Sequence, residues 1–369
     1  MRTSQKLPSR RSKFLEINFC ILFFSIKIFA QAVPVGFNEG LMGNSGVAIS
    51  DATASSYYNP SLILTKKKSS YSAGGNTFSI VDGSANDIKL SSAKITPSYV
   101  SALQIFESYA HEFFLANLGS VDSQSTTTDN LGATLKSNVR IDNFIAGYTF
   151  GFPALPLGFQ TALRYTEKQT NSFYEFQDAT SAITKNTEAI HRQIDLLLSV
   201  GGTHQFGKYN FGYKYLSRGL AISKKKEGSE KTFTYSQGLN QYQKTESVVK
   251  INQDIPGESL ALGHSFKVGD HEFLTDSTFE EKADLSYAYD WSQTFGYKLG
   301  SAAGYQYMCG LSHLINKDVK YFGQSMYIST GMSWLSRTYR SAIGLYYSVN
   351  KVNADSQTYG LTFSSEFIY

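Results

Sequence analysis

The sixteen residues Asp284–Leu299 read DLSYAYDWSQTFGYKL. Leu285, Tyr287, Tyr289, Trp291, Phe295, Tyr297 and Leu299 share one parity, interrupted by Gln293. The other parity is Asp284, Ser286, Ala288, Asp290, Ser292, Thr294, Gly296 and Lys298. Side chains alternate between the two faces of a β-strand, so this is a strand with one apolar aromatic face and one polar or small face. It is longer than most soluble strands and long enough to cross a bilayer at a tilt. Such a strand places lipid on one side and a lumen on the other.

The same two-faced pattern recurs along the chain. Ile190, Ile194, Leu196, Leu198 and Val200 oppose His191, Gln193, Asp195 and Ser199, with Leu197 out of step. Phe144, Ala146, Tyr148 and Phe150 lead into the turn Phe152–Pro156, and Leu157, Phe159, Leu163 and Tyr165 return from it. Tyr209, Phe211, Tyr213 and Tyr215 follow a tight turn at Gly207-Lys208, and Leu260, Leu262 and Phe266 precede another at Gly269-Asp270. These short turns contrast with the polar stretches Thr166–Thr187 and Ser223–Lys250, which read as long loops. Short turns at one end and long loops at the other are the asymmetry of outer-membrane barrels. The expected fold is all-β: a transmembrane antiparallel outer-membrane β-barrel of about 14 strands.

Composition agrees. The chain carries 25 Tyr and 26 Phe but only 7 Pro. Aromatic residues favour strands, and amphipathic Tyr rings suit a membrane interface. Beyond the N-terminus there is no run of about 18 apolar residues, which excludes helical membrane spans.

Residues 1–32 read as a signal peptide for the general secretory route. Arg2, Lys6, Arg10, Arg11 and Lys13 precede an apolar run, Phe14–Phe29, and Ala30-Gln31-Ala32 fits a cleavage site. The chain's 34 Lys/Arg and 30 Asp/Glu fall to 28 and 29 once the leader's six basic residues and one acidic residue are set aside. The basic balance therefore belongs to the leader, and nothing in the remainder points to nucleic acid. Cys309 is then the sole cysteine, so no intrachain disulfide forms.

Two further stretches stand out. Gly36–Leu64 (GFNEGLMGNSGVAISDATASSYYNPSLIL) is crowded with small residues and closes on a Tyr-Tyr-Asn-Pro turn. The last strand sets Tyr359, Leu361, Phe363, Phe367 and Tyr369 on one face, and the chain stops on an aromatic residue. Such C-terminal strands resemble the signal read by the bacterial barrel-assembly machinery, carried here by Phe363, Phe367 and Tyr369.

Gly43–Ala52 (GNSGVAISDA) followed by Tyr58-Asn59-Pro60-Ser61-Leu62 resembles the N-terminal region of the FadL/TodX outer-membrane transport family. Ile255–Gly263, leading to a tight turn and the aromatic strand through Trp291, is similar to a second patch of that family. Ser61 stands where the family usually has Ala. The resemblance implies a 14-stranded barrel with residues 33–65 folded inside as a hatch and residues 66–369 as the wall. It also implies passive uptake of small hydrophobic compounds, long-chain fatty acids or aromatic hydrocarbons, by binding and diffusion. Gly43, Gly46, Asp51, Tyr58, Asn59 and Pro60 carry the hatch motif. The expected partners are outer-membrane lipid, lipopolysaccharide and the hydrophobic substrate, with the barrel a monomer and no cofactor. The rival readings are a non-transporting barrel that serves as scaffold or secretion partner, and a general porin. A lumen filled by side chains favours the former and a wide charged constriction the latter.

Enzymatic chemistry finds no support. The six histidines show no metal-ligand spacing, and His264-Ser265 are neighbours on a strand and point to opposite faces. Lys66-Lys67-Lys68 and Lys224-Lys225-Lys226 are basic clusters that suit anionic headgroups or a solvated loop. Inward Asp284, Asp290, Lys298, Glu366 and Arg164 suit a polar lumen.

Overall fold

A computed structural model describes residues 35–36, 38–49, 53–85, 88–90, 98–128, 134–177, 181–236, 241–248, 257–281, 289–300, 304–317, 322–351 and 355–369. The expected leader, residues 1–32, lies outside them, as do Asp51, Asp284 and the N-terminal part of the Asp284–Leu299 stretch.

The wall is a closed antiparallel barrel of 14 strands, as the alternation predicts. In chain order these are β1 (Ser70–Ala85), β2 (Ile88–Leu90 and Ser98–Ile105), β3 (Ala110–Thr128), β4 (Thr134–Gly151) and β5 (Leu157–Gln177). Then come β6 (Ser181–Phe206), β7 (Tyr209–Leu216 and Leu220–Ser236), β8 (Gln241–Val248 and Ser259–Val268), β9 (His271–Glu281) and β10 (Tyr289–Leu299). The last four are β11 (Gly304–Lys317), β12 (Phe322–Leu335), β13 (Tyr339–Lys351) and β14 (Asp355–Ile368). Each pairs with its sequence neighbour, and β1 pairs with β14 from Ser70↔Ile368 to Ser84↔Asp355 to close the wall. Closure leaves no edge of unpaired backbone groups, which a bilayer would penalise by several kcal/mol per group. Among the described residues no helix is long and apolar enough to cross a membrane.

The faces follow the parity of the sequence. Phe295 is exposed on the outside, while Thr294, Gly296 and Lys298 are buried on the inside. The terminal strand behaves alike: Tyr359, Leu361, Phe363, Phe367 and Tyr369 are exposed, whereas Thr358, Thr362 and Glu366 are buried. At the short-turn end, rings stack outside the wall: Phe106 on Tyr109 with centroids 4.6 Å apart, Tyr209 on Phe266 at 4.6 Å, and Tyr71 on the terminal Tyr369 at 5.2 Å. Short turns mark the periplasmic end of such barrels, and these rings form its interfacial belt.

One expectation is overturned. Thr166–Thr187 and Ser223–Lys250 are not loops, because their described residues are extended strand. β5 and β6 stay paired out to Gln177↔Ala182, and β6 continues with β7 as far as Ser181↔Ser236. A strand beyond the bilayer has water on both faces, so it needs no apolar parity. Ladder pairing alone keeps its backbone satisfied, and runs rich in Thr, Ser and Lys carry no alternating signal.

The described residues of the stretch 35–65 lie within the barrel. Two single turns of helix, α1 (Asn38–Leu41) and α2 (Ser55–Tyr58), and a 3₁₀ turn (Pro60–Thr65) are joined by irregular backbone. Leu41, Met42, Ile49 and Leu62 form a core with inward Leu274, Met308 and Ala342 of the wall. Each such side chain contributes about 1.5–3 kcal/mol on burial. Irregular backbone is tolerated at membrane depth only where protein shields it from lipid, as the wall does here.

Candidate functional site: the luminal segment and its seat

The luminal segment is held to the wall by polar bonds that converge on its small residues. Asn59 is the most fully used. It caps the 3₁₀ turn, its Oδ1 accepting from Ser61 N at 3.1 Å and Ser61 Oγ at 2.9 Å. Its Nδ2 donates to Val47 O at 2.8 Å and to Gly202 O of β6 at 3.2 Å. One buried amide thus ties both halves of the segment to the wall. Pro60 opens the turn, where a missing N–H costs nothing.

Gly43, with φ at +71°, occupies the left-handed region beside Asn44 at 65°. Its N–H donates to Ser329 Oγ at 3.2 Å, and Ser329 Oγ donates to Leu41 O at 2.9 Å. Gly46 lies flush against the ring of Tyr58, leaving no room for a Cβ. Tyr58 Oη donates to Asn44 Oδ1 at 3.2 Å. Five of the six hatch-motif positions therefore meet in one packed unit, and Asp51 lies outside the described residues.

Three carboxylates that the sequence reading did not single out organise this unit. Asp276 of β9 accepts from Gly46 N at 2.6 Å and Val47 N at 2.9 Å. Glu112 of β3 accepts from Ser55 Oγ at 3.1 Å, from the Ser56 hydroxyl, and from Tyr99 Oη at 3.0 Å. Glu39, within the segment, accepts from Thr53 Oγ1 at 2.6 Å and Ala54 N at 2.9 Å. Burial raises the Glu39 carboxyl above the ordinary glutamate range, against the opposing pull of those donors. Burial likewise pushes the Tyr57 hydroxyl up to about 12, aided by Glu280.

The wall makes room with inward glycines. Gly296 and Gly310 pair across β10 and β11 and face Met42 and Gly43, while Gly331 and Gly344 pair across β12 and β13 and face Leu41. At Gly310 the segment's backbone sits where a side chain would begin. These glycines occupy the inward parity, where a polar residue is the usual choice. That substitution was the readable signal.

Beside this seat inward apolar side chains of strands β2 to β7 pack against the luminal segment. Phe114, Ile145 and Leu197 point inward and form one cluster with Tyr99, Tyr57 and Tyr58. Leu197, out of step in the sequence, belongs here. Lys214 of β7 donates to Tyr57 O and stands 5.6 Å from the centre of the Tyr57 ring. The inward charges also find places. Lys298 bonds Glu272 at 2.6 Å, and Glu366 takes Lys66 at 3.1 Å and Arg340 at 3.4 Å. Arg164 donates to Asn143 at 3.2 Å. His264 is exposed outside the wall, whereas Ser265 is buried inside and donates to Ala48 O at 3.0 Å.

No family model matches the chain, and no curated protein matches it by sequence. Solved structures do. The Ralstonia pickettii toluene transporter TbuX aligns over 92% of this chain and 99% of its own, with a TM-score of 0.65 at 9% identity. The monoaromatic hydrocarbon channel CymD aligns over 92% and 98%, with a TM-score of 0.63 at 14% identity. The Pseudomonas putida toluene transporter TodX aligns over 90% and 97%, with a TM-score of 0.61 at 10% identity. The chain shares their fold.

Proposed function

We propose that the protein is an outer-membrane channel that takes up small hydrophobic compounds passively, by binding and diffusion through a barrel closed by a hatch. The observation that supports this reading is the apolar aromatic character of the interior, where Phe114, Ile145 and Leu197 of the wall pack with Tyr57 and Tyr58 of the luminal segment. A barrel that passed only polar solutes has no need of so apolar an interior beside its hatch. Solved structures of the same fold are described as toluene transporters and monoaromatic hydrocarbon channels, which supports aromatic hydrocarbons as substrates.

In this reading residues 1–32 direct export and are removed, residues 33–65 are the hatch, and residues 66–369 form the wall. The protein works as a monomer in outer-membrane lipid and lipopolysaccharide. Phe363, Phe367 and Tyr369 present the assembly signal. The residues act by binding and exclusion, with no covalent step. The test is uptake of labelled toluene and of a labelled long-chain fatty acid by intact and deletion cells. Slower uptake of at least one in deletion cells is expected. Equal rates across a broad panel of hydrophobic compounds remove the transport reading.

A further inference from the structure

The wall is tall on one side. β5 and β6 run for 21 and 26 residues, whereas β9 and β10 run for 11 each. A strand crosses a bilayer in about 9–11 residues, so the surplus length stands past the end opposite the short turns. Lys168 is the twelfth residue of β5, which at about 3.3 Å per residue places it roughly 36 Å along the strand from Leu157. The inner face of this tall part therefore borders the mouth of the barrel.

That face is basic. Lys168 of β5, His191 of β6 and Lys226 of β7 are cross-strand partners in one row, and Thr166, Gln193 and Lys224 form the next. His191 and Gln193 are buried on the inward parity, and directly paired residues share a face, so both lysines of β7 project inward too. Lys224 and Lys226 are nonetheless exposed, so solvent reaches them from the mouth. Arg164 pairs with Asp195 one row further in.

Charge on this inner face is unbalanced. Among the described residues from this level to the outer ends of β5, β6 and upper β7, the inward basic side chains are Arg164, Lys168, Lys185, Lys224 and Lys226. The inward carboxylates are Asp195, which accepts from Gln193 Nε2 at 2.7 Å, and Glu230, which meets Lys185 at 2.9 Å. The outer face of the same strands instead pairs its charges: Arg192 meets Glu167 at 3.1 Å, and Lys225 meets Glu227 at 2.8 Å. Like charges gathered on one face of a sheet repel, and an anion among them relieves that repulsion.

We propose that this patch binds the phosphate group of a solute at the mouth of the barrel, among Lys168, Lys224 and Lys226 and over His191. Directly paired Cα atoms of antiparallel strands lie about 5 Å apart, so Lys168 and Lys226 flank His191 with roughly 10 Å between them. A phosphate monoester carries about two negative charges near pH 7 and offers three acceptor oxygens, enough for three ammonium groups to share. A carboxylate brings one charge and two oxygens, and leaves more of the surplus uncompensated. Ile141, half-buried beside Lys168 in the ladder, gives the apolar part of an organic phosphate a contact that free phosphate lacks. The site needs only the inner face of the wall, and it is independent of the uptake of hydrophobic compounds.

The test is isothermal titration calorimetry on the barrel purified from outer membranes in mild detergent, at low salt. A pH of about 7.5 lies above the second phosphate pKa of about 6, so the monoester is mostly doubly charged. Phenyl phosphate, inorganic phosphate, benzoate and benzyl alcohol are compared. Phenyl phosphate should bind about ten-fold more tightly than benzoate, and benzyl alcohol should give no saturable heat. Tighter binding of phenyl phosphate than of inorganic phosphate identifies an organic phosphate as the ligand, and equal binding identifies free phosphate. Lys224→Gln with Lys226→Gln should weaken phenyl phosphate about ten-fold or more. Lys225→Gln with Lys231→Gln removes the same charge from the outer face of the same strand and should leave binding unchanged. Heat-modifiable migration on gels checks that each variant is folded. Equal affinity for benzoate and phenyl phosphate overturns the proposal, as does an equal loss in the two double variants or no loss in the inner one. None of these outcomes bears on uptake of toluene or fatty acid, which is measured separately in cells.

Discussion

Asp276 and Gly46 meet at 2.6 Å, and the same carboxylate oxygen takes Val47 N at 2.9 Å. A wall strand thus reaches into the lumen and holds two consecutive backbone N–H groups of the segment that fills it. Hydrogen bonds to a charged acceptor are worth about 1.5–3 kcal/mol each. Asp276→Ala should therefore loosen the segment by about 3 kcal/mol while leaving barrel pairing intact, since the ladder does not use this side chain. Hydrogen exchange at Gly46 and Val47 should accelerate by two orders of magnitude, and planar-bilayer recordings should show frequent openings. Unchanged exchange at those two amides would refute the role of this bond.

Gly310 sets a steric test of the same seat. A Cβ there would collide with Gly43 N and the Met42 backbone, neither of which is the far end of a flexible side chain. Overpacking of this kind costs about 1–3 kcal/mol. Gly310→Ala should displace the segment at Met42 and Gly43 and raise leakage of small solutes. Leu311→Ala, one residue away on the lipid face, should leave leakage at the wild-type level. If both variants leak equally, the effect belongs to the wall and not to the segment.

Much of the wall was legible because a bilayer enforces parity: each outward position from Phe295 to Leu299 had to be apolar, so the pattern was written in residue type. Outside the bilayer the enforcement ends, and Thr166–Gln177 reads as loop although it is strand. The seat was hidden for a different reason. Glu112 and Asp276 occupy inward positions where any polar residue fits the strand pattern, and their partners lie 56 and 230 residues away in sequence. Leu197 and Phe114 did leave a trace, as apolar residues on the polar parity.

Glu39 gives the segment a pH dependence of defined sign. Burial raises its carboxyl above the ordinary glutamate range, so the seated segment binds this proton more tightly than the released one. The stability gained is complete below the ordinary glutamate pKa and is lost as pH rises through the raised value, at about 1.36 kcal/mol per pH unit between the two. Exchange protection at Ala54, corrected for intrinsic rates, should fall across that window. Glu39→Gln should flatten the profile. A profile that survives in the glutamine variant would assign the titration to another group.

Lys214 separates two classes of cargo. Its ammonium donates to Tyr57 O and lies over the Tyr57 ring, at the edge of the luminal apolar cluster. A neutral hydrocarbon gains from the cluster alone. A carboxylic acid that lays its chain on the same surface gains a charge-assisted bond as well, worth about 1.5–3 kcal/mol or roughly ten-fold and upward in affinity. Lys214→Met keeps the length of the stem and removes the charge. Uptake of a long-chain fatty acid by cells carrying this variant should fall by about ten-fold, with toluene uptake unchanged. A parallel fall in both would show that the lysine serves to hold Tyr57 in place, because the apolar surface would then be lost to either cargo. No change in either would place the route of both compounds away from this wall of the lumen.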